Sequence, residues 1–212
     1  MKPKKCALIS TPRAGTHYLR MSLDNHPKVR WGGELFRPEV KWPKEEEEIR
    51  SYIYDDVSFE NINSFNYIGF VWHLCLESDL SPSDVDKFIL LKRRNSLLQM
   101  ASLLIASETG NWRDTKATEK IKLNIAQLEW FIERQENYYK NFESWQVEHK
   151  VVFYEDLCNS FEETTRSIQE YLELDYCRLE PAKLIKQETR PLQKIISNYE
   201  EVKWILQDMN LL

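Results

Sequence analysis

Long apolar runs and paired cysteines are both missing from this chain. No stretch approaches the roughly 18 apolar residues of a membrane-spanning helix, so no transmembrane segment is expected. Only four apolar residues, 6–9, follow the basic start, which is too few for a signal-peptide core, and the expected location is the cytoplasm. The four cysteines are scattered without a C-x-x-C pair. That spacing indicates neither a zinc site nor a disulfide framework, and we expect no metal.

An excess of positive charge is missing as well. The formal net charge of −5 argues against a general nucleic-acid binder, which is usually basic. Charged residues make up 30% and hydrophobic residues 42%, as in ordinary soluble proteins. A chain of 212 residues without an internal repeat or a dividing linker predicts one domain over residues 1–212.

Glycine is also rare, and its scarcity excludes two nucleotide-binding motifs. Gly15 is the only glycine before Gly32, so the dinucleotide fingerprint G-x-G-x-x-G is absent. A Walker A loop, G-x-x-x-x-G-K-[ST], is absent too, because no glycine opens the turn and no lysine precedes Thr16.

The stretch that contains Gly15 nevertheless has the features of an anion site. Residues 5–10 read as a short buried strand, and residues 15–25 as an amphipathic helix that begins at the turn. The first N–H groups of a helix have no partner within it, and the helix dipole favours negative charge there. The residues expected to hold a phosphate-like group are Pro12, Arg13, Ala14, Gly15, Thr16 and His17.

Strands and helices alternate along the rest of the chain. Further strands are predicted at 28–31, 67–73, 87–92 and 151–154, and helices near 49–52, at 96–107 with Asn95 as N-cap, at 119–143, 160–173 and 199–207. Strands three and four are nearly continuous apolar runs, typical of strands covered on both faces. This order predicts an α/β three-layer sandwich with a central parallel β-sheet.

Several polar side chains directly follow the predicted strands. They are Glu34, His73, the run Lys92-Arg93-Arg94-Asn95, and Glu155-Asp156. Since ligands of such sheets bind beyond the carboxyl ends of the strands, these groups and the first turn should share one edge. Lys92 and Arg93 could also simply face solvent, and the acidic run at 45–48 is best interpreted as a solvated helix start.

Two of these features together resemble the sulfotransferase family. Residues 12–16, P-R-A-G-T, resemble the 5′-phosphosulfate loop, P-[KR]-[SA]-G-T, and Arg94-Asn95 with Ser102 resembles the 3′-phosphate motif, where Arg and Ser are also eight apart. The segments 93–103 and 109–112, with Gly33-Glu34-Leu35-Phe36 and Tyr154-Glu155-Asp156-Leu157, look most like the bacterial trehalose 2-sulfotransferase-like branch. The resemblance covers about residues 5–205 and implies a P-loop-containing nucleotide-binding, sulfotransferase-like fold.

The resemblance also implies a reaction. The donor would be 3′-phosphoadenosine 5′-phosphosulfate (PAPS), the product 3′-phosphoadenosine 5′-phosphate (PAP), and the acceptor a hydroxyl-bearing small molecule, carbohydrate or lipid. Arg13 would stabilise charge on the departing phosphate. Glu34 is the first candidate for the general base, and His73, at a strand end where cytosolic relatives carry a catalytic histidine, is the rival.

One departure from the family and two other functions stay open at this point. Related enzymes often carry a lysine near the position of Val71, and His17, Lys186 and Arg190 are the candidates to replace it. The alternatives are a catalytically inactive nucleotide-binding module and an atypical P-loop small-molecule kinase. A homodimer is compatible with the sequence.

Overall fold

A five-stranded parallel sheet forms the centre of the protein. The structure is a computed structural model that describes residues 2–36, 41–55, 61–76, 80–110, 112, 119–183 and 190–212. The strands are β1 Lys4–Ser10, β2 Val29–Glu34, β3 Tyr67–His73, β4 Lys87–Lys92 and β5 His149–Phe153, in the order β2-β3-β1-β4-β5. All four strand pairs are parallel, which confirms the predicted sheet.

Eight α-helices in the described ranges surround this sheet. They are α1 Thr16–Leu23, α2 Lys44–Asp55, α3 Ser96–Thr109, α4 Ile125–Glu143, α5 Tyr154–Asn159, α6 Phe161–Tyr171, α7 Leu192–Ile195 and α8 Tyr199–Asp208. Short 3-10 turns at Ile62–Ser64 and Pro82–Asp84 precede β3 and β4.

Helices cover both faces of the sheet, which makes the fold a three-layer sandwich. Successive strand residues point to opposite faces, so Cys6 and Leu8 of β1 face α1 and α6, while Ala7 and Ile9 face α2 and the end of α4. This two-sided burial explains the unbroken apolar runs of the sequence. A third apolar cluster joins α3, α4, α7 and α8.

One predicted helix start is wrong, and the short helix α5 was not predicted. The helix predicted from residue 119 begins at Ile125, because residues 119–124 are extended and Ile121 forms a backbone bridge with Ile196. Asn124 then caps α4 by accepting a hydrogen bond from the Gln127 N–H. The helix predicted at 160–173 is confirmed as α6, and the unpredicted short helix α5 precedes it, beginning at Tyr154 directly after β5.

The strand order places the carboxyl ends of β2, β3 and β1 side by side. Ser10, the last residue of β1, pairs in register with His73, the last residue of β3. β2 runs to Glu34, three residues beyond its predicted end, and Glu34 pairs with Val71 after an irregularity between Trp31 and Glu34. Three polar residues thus end three neighbouring strands at one edge.

Candidate functional site

The turn between β1 and α1 has the backbone of an anion-binding loop. Gly15 is the N-cap of α1 with φ +98°, and Arg13 also has a positive φ of 64°. A β-carbon on Gly15 would lie 2.4 Å from Cδ2 of Tyr154, so the ring of Tyr154 packs directly on this turn. The first-turn N–H groups of α1, beginning with Thr16, therefore follow a tight turn with one aromatic wall. We call residues 11–16 the donor loop.

The rear of the donor loop is held by side chains that the sequence analysis did not identify. The Gln99 amide donates to the Pro12 carbonyl at 2.8 Å and to Thr11 Oγ1 at 3.1 Å, and Gln99 is only 2% exposed. The Tyr139 hydroxyl lies 3.1 Å from the same Thr11 oxygen. The one sequence signal for this support was a polar residue, Gln99, on the apolar face of α3, four residues after the N-cap Asn95.

Arg13 links the donor loop to α3. Its Nε donates to Ser102 Oγ at 2.9 Å, and its Nη1 donates to the Trp112 carbonyl at 2.9 Å. Burial lowers the pKa of the Arg13 guanidinium, the nearby positive charge of Arg93 lowers it further, and Glu34 opposes both effects. The structure therefore brings Ser102 against the donor loop through Arg13.

Arg93 belongs to the same cluster and is only partly exposed. Its Nη1 donates to the Arg13 carbonyl at 3.2 Å, and its guanidinium lies 4.9 Å from the centre of the Tyr154 ring. Burial lowers the pKa of Arg93 as well. Two partly buried guanidinium groups beside one helix N-terminus make this edge of the sheet strongly attractive to anions.

Arg94 points to a different partner. It donates from Nη1 and Nη2 to the two carboxylate oxygens of Asp156 at 2.6 and 2.9 Å, and both side chains are about half exposed. This pair raises the pKa of Arg94 and lowers the pKa of Asp156. Glu155 accepts from the backbone N–H groups of Arg94 and Asn95. In this structure Arg94 engages Asp156 while Ser102 engages Arg13.

Glu34 and His73, the two candidate bases, are in direct contact through their polar atoms. His73 Nε2 lies 3.0 Å from Glu34 Oε1, and His73 Nδ1 lies 3.0 Å from Ser10 Oγ. His73 and Ser10 are buried, whereas 23% of the Glu34 side chain is exposed. The end of β1 thus connects directly to His73, and through His73 to Glu34.

The remaining sequence-predicted residues lie around this edge. His17 Nε2 is 3.5 Å from Arg20 Nη2, which in turn lies 3.7 Å from Glu46 of α2. Arg190 donates to the Glu119 carbonyl, and Lys186 lies outside the described residues. Ala14 is buried in the cluster beneath α1. None of the three proposed substitutes for the family lysine is shown to take its place.

Metal and membrane features can be judged only within the described ranges. There, no group of three or more His, Cys, Asp or Glu side chains is placed to hold a metal ion. No helix in the described part of the chain has the length and apolar character needed to cross a membrane.

Known proteins resemble this chain in sequence. No protein-family model matches it. Nodulation protein H of Rhizobium meliloti (strain 1021) is 23% identical over 96% of this chain and 91% of its own length. Nodulation protein H of Rhizobium tropici is 22% identical over 95% of this chain and 88% of its own length.

Solved structures resemble it in fold. The sulfotransferase domain of the Synechococcus PCC 7002 olefin synthase superimposes with a TM-score of 0.53, at 14% identity, over 83% of this chain and 75% of that domain. The mouse sulfotransferase SULT7A1, solved with PAP, gives a TM-score of 0.50 at 15% identity, over 82% of this chain and 60% of that protein. The chain therefore shares the α/β fold of these sulfotransferases.

Proposed function

We propose that this protein is a sulfotransferase that moves the sulfuryl group of PAPS to a hydroxyl of a small-molecule, carbohydrate or lipid acceptor. The observation that carries the proposal is the position of Glu34. Its carboxylate contacts His73, and His73 is hydrogen-bonded to Ser10, the residue immediately before the donor loop. A candidate base and a candidate phosphosulfate site are therefore fixed to the same strand end. Likeness to a sulfotransferase solved with PAP supports the choice of donor.

The donor carries two anionic ends, and the site offers cations for both. The 5′-phosphosulfate lies on residues 12–17, which supply the first N–H groups of α1 and the positive charge of Arg13. The 3′-phosphate lies at the start of α3, with Arg94 and Ser102 as its ligands. Arg93 adds positive charge between the two ends.

The reaction is an in-line displacement at sulfur. The acceptor oxygen forms a new bond to sulfur while the bond from sulfur to the bridging oxygen of the 5′-phosphate breaks. The hydroxyl proton passes to Glu34, and the electron pair of the broken bond stays on the departing phosphate of PAP. Arg13 and the α1 N–H groups stabilise that developing charge, which parallels the role of fixed cations in phosphoryl transfer.

Binding of PAP tests the nucleotide site. Saturating PAP should raise the melting temperature of the wild type, because a ligand that binds only the folded state stabilises it. Arg94→Ala should lose most of this shift, while Arg166→Ala, which removes an exposed arginine on α6, should keep it. Absence of any shift in the wild type would contradict the proposed donor.

Transfer itself separates this function from its alternatives. Incubation with PAPS and a panel of alcohols, sugars and lipids should give an acceptor that gains one SO₃ unit, with release of one PAP. PAP binding without transfer to any acceptor would instead identify a nucleotide-binding module. Turnover of ATP that depends on magnesium would identify a kinase.

A further inference from the structure

We propose that Ser10 and His73 are positioning residues that hold Glu34 in place as the general base. This inference rests on the proposed function and deepens it, because it decides between the two candidate bases and adds Ser10. Its basis is the continuous series of polar contacts Ser10–His73–Glu34: a hydrogen bond of 3.0 Å from Ser10 to His73, and an N···O contact of 3.0 Å from His73 to Glu34.

The chemistry of the three groups gives the chain a direction. An ionised carboxylate can only accept hydrogen bonds, so Nε2 of His73 must carry a hydrogen and act as the donor toward Glu34. In a neutral imidazole the other nitrogen, Nδ1, is then an acceptor, and the Ser10 hydroxyl donates to it. His73 is 2% exposed, and burial of a neutral ring costs less than burial of a charged one. In the Ser10–His73–Glu34 series, the Ser10 hydroxyl is therefore the first hydrogen-bond donor and the Glu34 carboxylate is the last hydrogen-bond acceptor.

This direction decides which residue can take the hydroxyl proton of the molecule that receives the sulfuryl group. Both ring nitrogens of His73 are occupied inside the protein, by Ser10 on one side and by Glu34 on the other. Glu34 is the member of the chain that reaches solvent. His73 consequently acts through Glu34 and does not meet the acceptor hydroxyl itself.

Ser10 also fixes the base relative to the donor. It is the last residue of β1 and immediately precedes the donor loop, and its carbonyl accepts from the Leu74 N–H at 2.9 Å. The backbone and the side chain of Ser10 thus both bond to the end of β3. Correct alignment of a base with a reacting centre contributes strongly to rate, so this link matters for transfer and not for nucleotide affinity.

The tautomer of His73 tests the chain without an acceptor. The protein has four histidines, so ¹⁵N-labelled imidazole signals can be assigned by comparing the wild type with His73→Gln. At neutral pH the wild type should show His73 protonated at Nε2 alone, and Ser10→Ala should alter the Nδ1 signal. Protonation at Nδ1, or at both nitrogens, would overturn the proposed chain.

Kinetics test the role in transfer. Ser10→Ala should lower kcat about 10-fold, and His73→Ala should lower it up to about 100-fold. Both losses are part of the ~10²–10⁴-fold rate increase that a general base supplies. The affinity for PAP should be unchanged in both variants. His73→Gln keeps an N–H donor toward Glu34 and should recover a large part of the activity. If His73 were the base, His73→Gln would be as inactive as His73→Ala.

Failure of the inference and failure of the function give different results. A wild type that transfers sulfate to no acceptor in the panel overturns the proposed function. A wild type that transfers, while Ser10→Ala and His73→Ala keep full kcat, overturns only the positioning roles. The melting temperature of each variant confirms that a loss of kcat comes from a folded protein.

Discussion

The two ends of the candidate donor site are built differently. At the donor loop, Arg13 is partly buried, bonded to Ser102 and next to Arg93, and burial lowers its pKa. At the start of α3, Arg94 is half exposed and bound by both carboxylate oxygens of Asp156, which raises its pKa. The proposed reacting end is thus organised in advance by partly buried contacts, whereas in the proposed function the other end would exchange a carboxylate for a phosphate.

This difference has a physical reason. Fixed dipoles and charges lower a barrier only if they need no rearrangement at the moment of reaction, so the end that carries the chemistry benefits from rigidity. The distant phosphate needs only to be recognised, and an exposed arginine that changes partners at small cost is sufficient. Rigidity should therefore be concentrated at the donor loop and at Glu34.

The largest expected effect is at the reacting end. Glu34→Gln keeps the shape of the side chain and removes the base, so kcat should fall by about 10²–10⁴-fold. PAP affinity should stay within about twofold, because the base does not hold the nucleotide. Glu143→Gln, an exposed carboxylate on α4, is the control and should keep full activity. Equal activity of Glu34→Gln and wild type would remove Glu34 from the mechanism.

Packing at the donor loop gives the next largest effect. Gly15 and Gly110 both have positive φ, +98° and +69°, but no described atom lies within 4 Å of the site of a Gly110 β-carbon. Gly15→Ala should cost about 2–5 kcal/mol from strain plus overlap with Tyr154, and Gly110→Ala about 1 kcal/mol. Denaturant unfolding measures both. Equal losses of unfolding free energy would contradict this prediction, because they would show that the Tyr154 ring moves aside at little cost.

Gln99 provides a further test of rigidity behind the loop. Gln99→Leu leaves the Pro12 carbonyl and Thr11 without their buried donor, which should cost about 1–3 kcal/mol of unfolding free energy and weaken PAP binding. Gln135 is also buried, but its Oε1 has no hydrogen-bond partner among the described residues. Gln135→Leu should therefore stay within about 1 kcal/mol of wild type. A larger loss for Gln135→Leu would contradict this assignment.

The smallest effect is expected at the exposed end. Asp156→Asn removes the charge that competes with phosphate for Arg94, so PAP affinity at neutral pH should rise modestly. Because the pKa of Asp156 is lowered in the folded protein, its ion pair is present above that pKa and lost as the pH falls through it. The advantage of Asp156→Asn over wild type should accordingly shrink at low pH.

The matched control for this prediction is Glu162→Gln. Glu162 is an exposed carboxylate whose pKa is also lowered, by Tyr176 and by Arg166. Its removal should leave PAP affinity unchanged by calorimetry at every pH. A gain in affinity for Glu162→Gln equal to that of Asp156→Asn would mean that net charge alone, and not exchange at Arg94, is responsible.

Local patterns in the sequence were sufficient for much of the fold. Unbroken apolar runs marked β3 and β4, and the strand–turn–helix pattern around Gly15 marked the donor loop. The start of α4 was missed because Ile121 is apolar at a helical spacing but pairs with the distant Ile196. Such backbone bridges leave no trace in periodicity.

The contacts of the site depended on strand order, which the sequence does not encode locally. Glu34 and His73 were rival candidates because nothing in the chain indicates that β2 lies beside β3 and β3 beside β1. The same is true of Arg93 and Arg94, neighbours in sequence that turn to Tyr154 and Asp156 respectively. Their directions follow from how β4 and β5 pair, and only the structure provides that.

A crystal structure with PAP bound tests the central claim most directly. The 5′-phosphate should lie at the first N–H groups of α1 near Arg13, and the 3′-phosphate on Arg94 and Ser102, with Asp156 released from Arg94. The Glu34–His73–Ser10 chain should be unchanged. The proposed site would be contradicted by a 5′-phosphate bound away from residues 12–17. It would also be contradicted if Asp156 were still paired with Arg94 while PAP is bound at full occupancy.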